Sequence, residues 1–380
     1  MSDNYHLRGQ IVTNTGERLT HAWVIDGNFT WFPPRDQPRH LTELHGWFYP
    51  GLVDVHGHIG LAERGAASRK ATAAQADTDY ASGVLLVRDA GVPGDTRWLD
   101  TRAHTPLMIR AGRHIARPKR YLPGLAIELD DPGALPATVA REAARSDGWV
   151  KLVADWIDRA AGKDARVEPL WDRQILREAI AAAHDNGARV CAHTFATATI
   201  EVLLDANIDC IEHGTGMQAE HIAEVARRQI PVTPTLIQTA NFLDFAAAGQ
   251  RKYPAYAAQM QHLYARRLKV LAALVEANVQ LLPGSDAGAS IPHGTLPREL
   301  AAWADAEIDA AAIMDQATWR ARAYLASGPG TGGVRAGSCG LEMGAPAAFV
   351  HYATDPAELL HRNALRPDTV YMYRPKSAVG

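Results

Sequence analysis

The sequence predicts an α/β fold: a (β/α)8 TIM barrel carrying a small β-sandwich domain built from both chain ends. Two patterns predict it. Between residues 51 and 336, short apolar runs alternate with alanine-rich amphipathic stretches, the pattern of repeated βα units around a parallel sheet. Residues 1–50 and 337–380 instead alternate apolar and polar positions in short bursts without helical periodicity, so the two ends are assigned to one discontinuous β domain.

The chain opens with Leu7 to Val12 and Ala22 to Phe32, with Gly27-Asn28 and Pro33-Pro34 as turns. Leu52–Val55, Val84–Val87, Leu107–Arg110, Val150–Val153, Arg189–Ala192, Cys210–Ile211, Val232–Leu236 and Gln280–Leu282 then read as the eight barrel strands. Helices are expected at Leu170 to His184, with Pro169 near the start and Gly187 beyond the end, and from about Tyr256 to Ala277. A doubly wound open sheet is the structural rival, but the Gly-x-Gly-x-x-Gly loop it would carry after its first strand is absent. Thr331 to Gly340 is glycine-rich without a following Lys-Ser/Thr, so it reads as a turn-rich return to the β domain rather than a phosphate cradle. Ala347–Tyr352 and Thr369–Tyr373 complete that domain.

A chain of 380 residues with 47% hydrophobic and 21% charged positions has material for a large core. Its 39 basic and 42 acidic residues leave a formal charge of -3 with no long run of one sign, which argues against nucleic acid and membrane surfaces as partners. No secretory leader is evident and no apolar run reaches the ~18 residues of a membrane helix, which predicts a cytoplasmic location. Cys191, Cys210 and Cys339 show no Cys-x-x-Cys spacing and no disulfide framework; the first two lie in apolar runs and read as buried, inert thiols. A homo-oligomer is possible, because barrels of this kind often assemble.

The chemistry lies in polar residues that follow or interrupt the apolar runs. His56-x-His58 puts two imidazoles on one side of an extended chain, since strand side chains alternate with period two. In a chain with 16 histidines such a pair also arises by chance. His193 and His213 close consecutive strands one βα unit apart, and neutral imidazole is the commonest protein ligand for zinc-like ions. Asp286 sits between Gly284 and Gly288, which permit close backbone approach; a turn or helix-capping aspartate is the other reading.

Lys151 discriminates among these readings. Embedded in Trp-Val-Lys-Leu-Val, it would hold an ammonium in apolar surroundings, which is costly unless the charge is neutralised or paired. Burial favours the neutral, nucleophilic amine, which takes up carbon dioxide to give a carbamate, a carboxylate-like bridge between two metals. The rival is an ammonium paired with Asp54, Asp89 or Asp155, or one that reaches solvent at the strand end.

Taken together, His56, His58, Lys151, His193, His213 and Asp286 in this order resemble the amidohydrolase superfamily of metal-dependent hydrolases over essentially the whole chain. Pro50 to His56, Arg88-Asp89-Ala90-Gly91, Ile211-Glu212-His213-Gly214, Pro234-Thr235 and Gly284 to Gly288 look like its imidazolonepropionase and prolidase-related branch. The resemblance implies two divalent metal ions ~3.5 to 4 Å apart sharing a hydroxide. His56, His58 and Asp286 would hold one, His193 and His213 the other, and N6-carboxylated Lys151 would bridge them. Zinc is the expected occupant, with manganese, iron and cobalt as alternatives. Asp286 would be the catalytic residue, orienting the nucleophile and carrying its proton to the leaving group.

The implied activity is hydrolysis of a C–N bond in a small amide, N-acyl amino acid, dipeptide or cyclic amide. A lactonase or phosphotriesterase on the same site and a noncatalytic scaffold are the alternatives. A deaminase fits less well, because the glutamate expected after the fifth strand is replaced by Thr194-Phe195-Ala196. Prolidase-related members commonly carry a glycine pair soon after the lysine, whereas this chain runs Ala154-Asp155-Trp156-Ile157-Asp158, so the resemblance does not by itself imply dipeptide specificity. Arg113, His114, Arg117 and Tyr121 after the third strand are candidate carboxylate clamps, Trp156 a candidate apolar wall, and His293 a candidate substrate contact. Surface ion pairing, ordinary packing and a plain loop histidine are the corresponding rivals.

Overall fold

The computed structural model describes residues 4–374 apart from residues 37 and 329. Parallel strands Leu52–Gly57, Val84–Asp89 and Leu107–Arg110 form one sheet. Trp149–Val153, Arg189–Thr194, Cys210–His213 and Val232–Thr233 belong to a second, six-stranded one that also takes in the short strands Ile115–Ala116 and Ile127–Glu128. Isolated bridges Val232 to Leu281 and Gly57 to Ala287 connect the two sheets through the segment where the eighth strand was expected. On the opposite side Asp147 N–H donates to Arg110 O at 2.9 Å. The strand positions thus follow the (β/α)8 order, with the last reduced to bridges because Pro283 and the glycines after it interrupt the ladder.

Leu52–Gly57, Val84–Asp89 and Trp149–Val153 are buried along their whole length, as a sheet covered by helices requires. The helix expected from Leu170 runs Arg173–Asp185, and Asp172, whose side chain accepts from Gln174 N–H, caps it; Pro169 ends the short strand Val167–Pro169 instead. The long helix is Pro254–Glu276. The seventh strand stops at Thr233, and Leu236–Ala240 is helical. No helix among the described residues is long and apolar enough to cross a membrane.

Both chain ends enter one six-stranded sheet: Tyr5–Val12, Arg18–Ile25, Asn28–Thr30 and Thr42–Tyr49 from the amino end, Ala348–Tyr352 and Thr369–Met372 from the carboxyl end. The sheet curls so that its far edge returns, with Phe29 N–H donating to Ala345 O and Ala347 N–H to Gly27 O. Leu7, Ile11, Val24, Phe29, Phe48 and Phe349 pack together as its core. The expected sandwich is therefore one folded-over sheet. The reading of Thr331 to Gly340 as all turn is corrected: Gly330–Ala336 is a helix, and a Cβ at Gly332 would lie 2.2 Å from Asp147 O, so glycine lets this helix press on the barrel floor. Buried Arg322 fastens both crossings between the domains, donating to Pro50 O at 3.0 Å and to Ala336 O at 2.8 Å.

Candidate active site

Strand register sets the height of each side chain. Lys151 pairs with Cys191, Val153 with His193 and Thr194 with His213, which stacks the polar side chains toward the carboxyl ends of the strands. His56 Nε2 and His58 Nε2 each lie 3.2 Å from Asp286 Oδ1. Lys151 Nζ lies 3.3 Å from His56 Nε2, and His193 Nδ1 is 3.0 Å from His213 Nε2. The six residues singled out in the sequence thus converge. His56, His58 and Asp286 offer ligand atoms close enough to share one cation.

The loop bearing Asp286 is pressed against the histidines: a Cβ on Gly284 would sit 2.7 Å from His56 Cβ, and one on Gly288 2.8 Å from His58 Cβ. His213, Thr235 and Asp286 all take positive φ, at 67°, 45° and 53°. For β-branched Thr235 this is strained backbone, and such strain gathers where side chains are aimed for function. Three bonds hold it: Thr235 Oγ1 lies 2.6 Å from His213 Nδ1, and buried Glu299 accepts the N–H groups of Leu236 and Ile237. Thr235→Val, which removes the hydroxyl that fixes His213, is expected to weaken metal retention about tenfold in competition with a chelator.

Burial lowers His193 well below its ordinary value and pushes His213 to about 3, which leaves both imidazoles neutral and free to ligate. Burial alone would raise Asp286, but the His56 charge and the His58 hydrogen bond hold its carboxyl well below the usual range. Burial also raises Glu212, and Arg88 and His56 overcome that strongly enough to keep it ionised. Glu212 bridges the two: Oε1 accepts from Arg88 Nη2, while Oε2 is 2.7 Å from His56 Nδ1. Arg88 and Glu212 were visible only as text within matched motifs; their partnership was not.

Lys151 is 1% exposed, and among the described residues it forms no ion pair with a carboxylate within 4.0 Å. The three acids that could have neutralised it are committed elsewhere. Asp54 accepts from Ser285 Oγ at 2.5 Å and from His56 N–H. Asp89 accepts from Gly91 N–H, and Asp155 accepts from Thr194 Oγ1 and the N–H groups of Phe195 and Ala196. Asp155, weighed in the sequence only as a partner for Lys151, instead clamps the turn that carries His193. A buried amine without an acid, beside converging imidazoles and a carboxylate, is a donor set that suits divalent cations.

Of the substrate candidates, three reach the cluster. The His114 ring centroid is 5.7 Å from that of His58, Tyr121 is 5.9 Å from His193, and Trp156 is 5.5 Å from His193. Arg113 does not act as a clamp: its Nη2 donates to Ala126 O at 3.1 Å. Arg117 is likewise spent on Leu129 O and Asp130 O. His293 is held by Asp79, with Nδ1 2.8 Å from Oδ2. Phe195, which the sequence reading mentioned only in weighing a deaminase, stacks 4.3 Å from His193 and 5.0 Å from His213.

The fold is thus a parallel α/β barrel with imidazole, carboxylate and amine side chains gathered at its strand ends. The chain belongs to the amidohydrolase family, whose match spans residues 47–338. It is 43% identical over 353 residues to uncharacterized proteins of Mycobacterium tuberculosis and Mycobacterium bovis, covering 93% of this chain and 90% of theirs. Among solved structures it is similar to a Xaa-Pro dipeptidase with bound methionine in the active site, with TM-score 0.77, 18% identity and coverage of 98% of this chain and 100% of that one. It is also similar to A. niger ochratoxinase, with TM-score 0.75, 17% identity and coverage of 98% of this chain and 94% of that one. At these identities the structural likenesses speak for the fold alone.

Proposed function

We propose that the protein is a metal-dependent amidohydrolase that cleaves a C–N bond in a small amide, N-acyl amino acid, dipeptide or cyclic amide. The observation that carries this reading is Lys151, a buried amine that among the described residues has no carboxylate within 4.0 Å and lies beside four histidines and Asp286. His56, His58 and Asp286 would hold one divalent ion and His193 and His213 a second, with Lys151, carboxylated on Nζ, as a ligand available to both. When bound, such ions supply a hydroxide at neutral pH and polarise the substrate carbonyl. His56 is kept in the tautomer that presents Nε2 by Glu212 at its Nδ1, and His58 is aimed by its Nδ1 contact to Gly91 O at 2.9 Å. Asp286 faces the imidazoles through Oδ1, which leaves Oδ2 to take the proton of the attacking water and pass it to the departing amine. Tyr121, Trp156 and Phe195 line one side of the cluster and keep bulk water from it.

Screening the metal-loaded protein on N-acyl amino acids, dipeptides and cyclic amides, beside lactones and phosphotriesters, tests this. Amide turnover that stops with a chelator and returns with zinc is expected. Turnover of lactones or phosphotriesters alone would move the chemistry to another bond, and protein purified from metal-replete medium without bound metal would sink the reading.

A further inference from the structure

We infer that the substrate carries an aromatic ring, received by a pocket beside the metal-ligating cluster; this rests on the amidohydrolase reading above and adds the class of substrate to it. The pocket has a volume of about 310 Å³. That is the low end of the range for small-molecule sites, suited to one ring and its tether. Its inner wall is made by Trp156 and Phe195, the two side chains that also stack on His193. Its outer wall comes from the helical segment after the seventh strand: Phe245 from Phe242–Gly249, then Tyr253 and Tyr256 where Pro254–Glu276 begins.

Geometry and chemistry agree on the occupant. Because Phe195 and Trp156 border both the His193 ring and the pocket, a ring bound there lies beside the cluster, and a tether carries the scissile carbonyl to it. Leu122, Ile157, Val167 and Ala248 add apolar surface to the lining, and the Arg159 guanidinium at its border is the one charged group among the described lining residues. Five aromatic residues around one cavity offer faces and edges to a ring in the arrangements aromatic pairs prefer. The wall is firmly built: Phe195 packs on buried Phe242 at 4.6 Å, and Phe242 belongs to a cluster with Ala246, Ala257, Met260 and Leu263.

Binding without a scissile bond tests the pocket separately from the chemistry. Calorimetry on the metal-loaded wild-type protein compares 3-phenylpropanoate with propanoate. The aromatic acid is expected to bind roughly 30-fold more tightly, the scale of burying one phenyl group. Ala248→Trp, a substitution at an exposed position on the rim, fills the cavity and is expected to abolish that difference. Phe245→Ala, which removes a wall instead, is expected to reduce it about fivefold. Equal affinities in the wild type, no detectable binding of the aromatic acid, or a preference that survives both variants would overturn the proposal. Failure to hydrolyse any amide would overturn the amidohydrolase reading while leaving this affinity ratio measurable.

Discussion

Replacing Lys151 with alanine is expected to remove at least one metal ion per chain and to lower kcat/KM by roughly 10³-fold, the scale of losing a principal electrostatic element of an active site. The expectation follows from the surroundings of the amine. An unpaired ammonium in a dry barrel interior carries a desolvation penalty of several kcal/mol, to be offset by a partner. Here the partner is an imidazole nitrogen at 3.3 Å, while Asp54, Asp89 and Asp155 are each engaged by other donors. In the proposed site, carboxylation would replace the amine with an anion for which divalent ions are the counter-charge. The wild-type protein supplied with ¹³C-bicarbonate should show a carbamate carbon resonance that Lys151→Ala lacks, and formate or acetate should restore part of the variant's activity by occupying the vacated bridge. Full metal content and full activity in the variant would remove the bridge from the mechanism.

What the sequence made legible was the contribution each residue makes on its own strand. His56 and His58 were readable because period-two alternation fixes where they point, and the Asp286 loop because Gly284 and Gly288 mark a close approach that the Cβ contacts bear out. Long-range pairing was hidden. Arg88 and Glu212 are separated by 124 positions, and only the closed order of strands brings them together. The same blindness misdirected Arg113 and His293, whose partners Ala126 O and Asp79 lie on neighbouring segments that no local pattern names. The helix Gly330–Ala336 was missed because its glycines, poor helix formers, serve the contact of Gly332 with Asp147 O rather than a turn. Trp156, for which a wall and ordinary packing were both open readings, borders a pocket whose opposite side belongs to Phe245, Tyr253 and Tyr256, on a helical segment that no local pattern joins to the site.

Glu212→Ala is expected to destabilise the protein by about 3–5 kcal/mol, since it strands the buried guanidinium of Arg88 without its counter-ion. Arg88 would keep only its Nε bond to Val55 O at 2.7 Å and its stacking on the Trp149 ring at 4.4 Å. Glu212→Gln, which leaves an acceptor for Arg88 but removes the charge facing His56 Nδ1, is expected to weaken metal binding about 10- to 100-fold. Loss of stability and loss of metal affinity can be separated by the double change Arg88→Met with Glu212→Leu. Replacing a buried ion pair with apolar side chains of similar volume is often neutral or stabilising, so the double variant should recover most of the stability lost in Glu212→Ala. It should not recover metal affinity, because His56 still lacks the carboxylate that fixes its tautomer and ring orientation. Denaturant unfolding of the metal-free proteins and chelator competition on the metal-loaded ones read the two effects independently. A double variant that bound metal as tightly as the wild type would reduce Glu212 to a counter-ion for Arg88 and leave His56 oriented by packing alone.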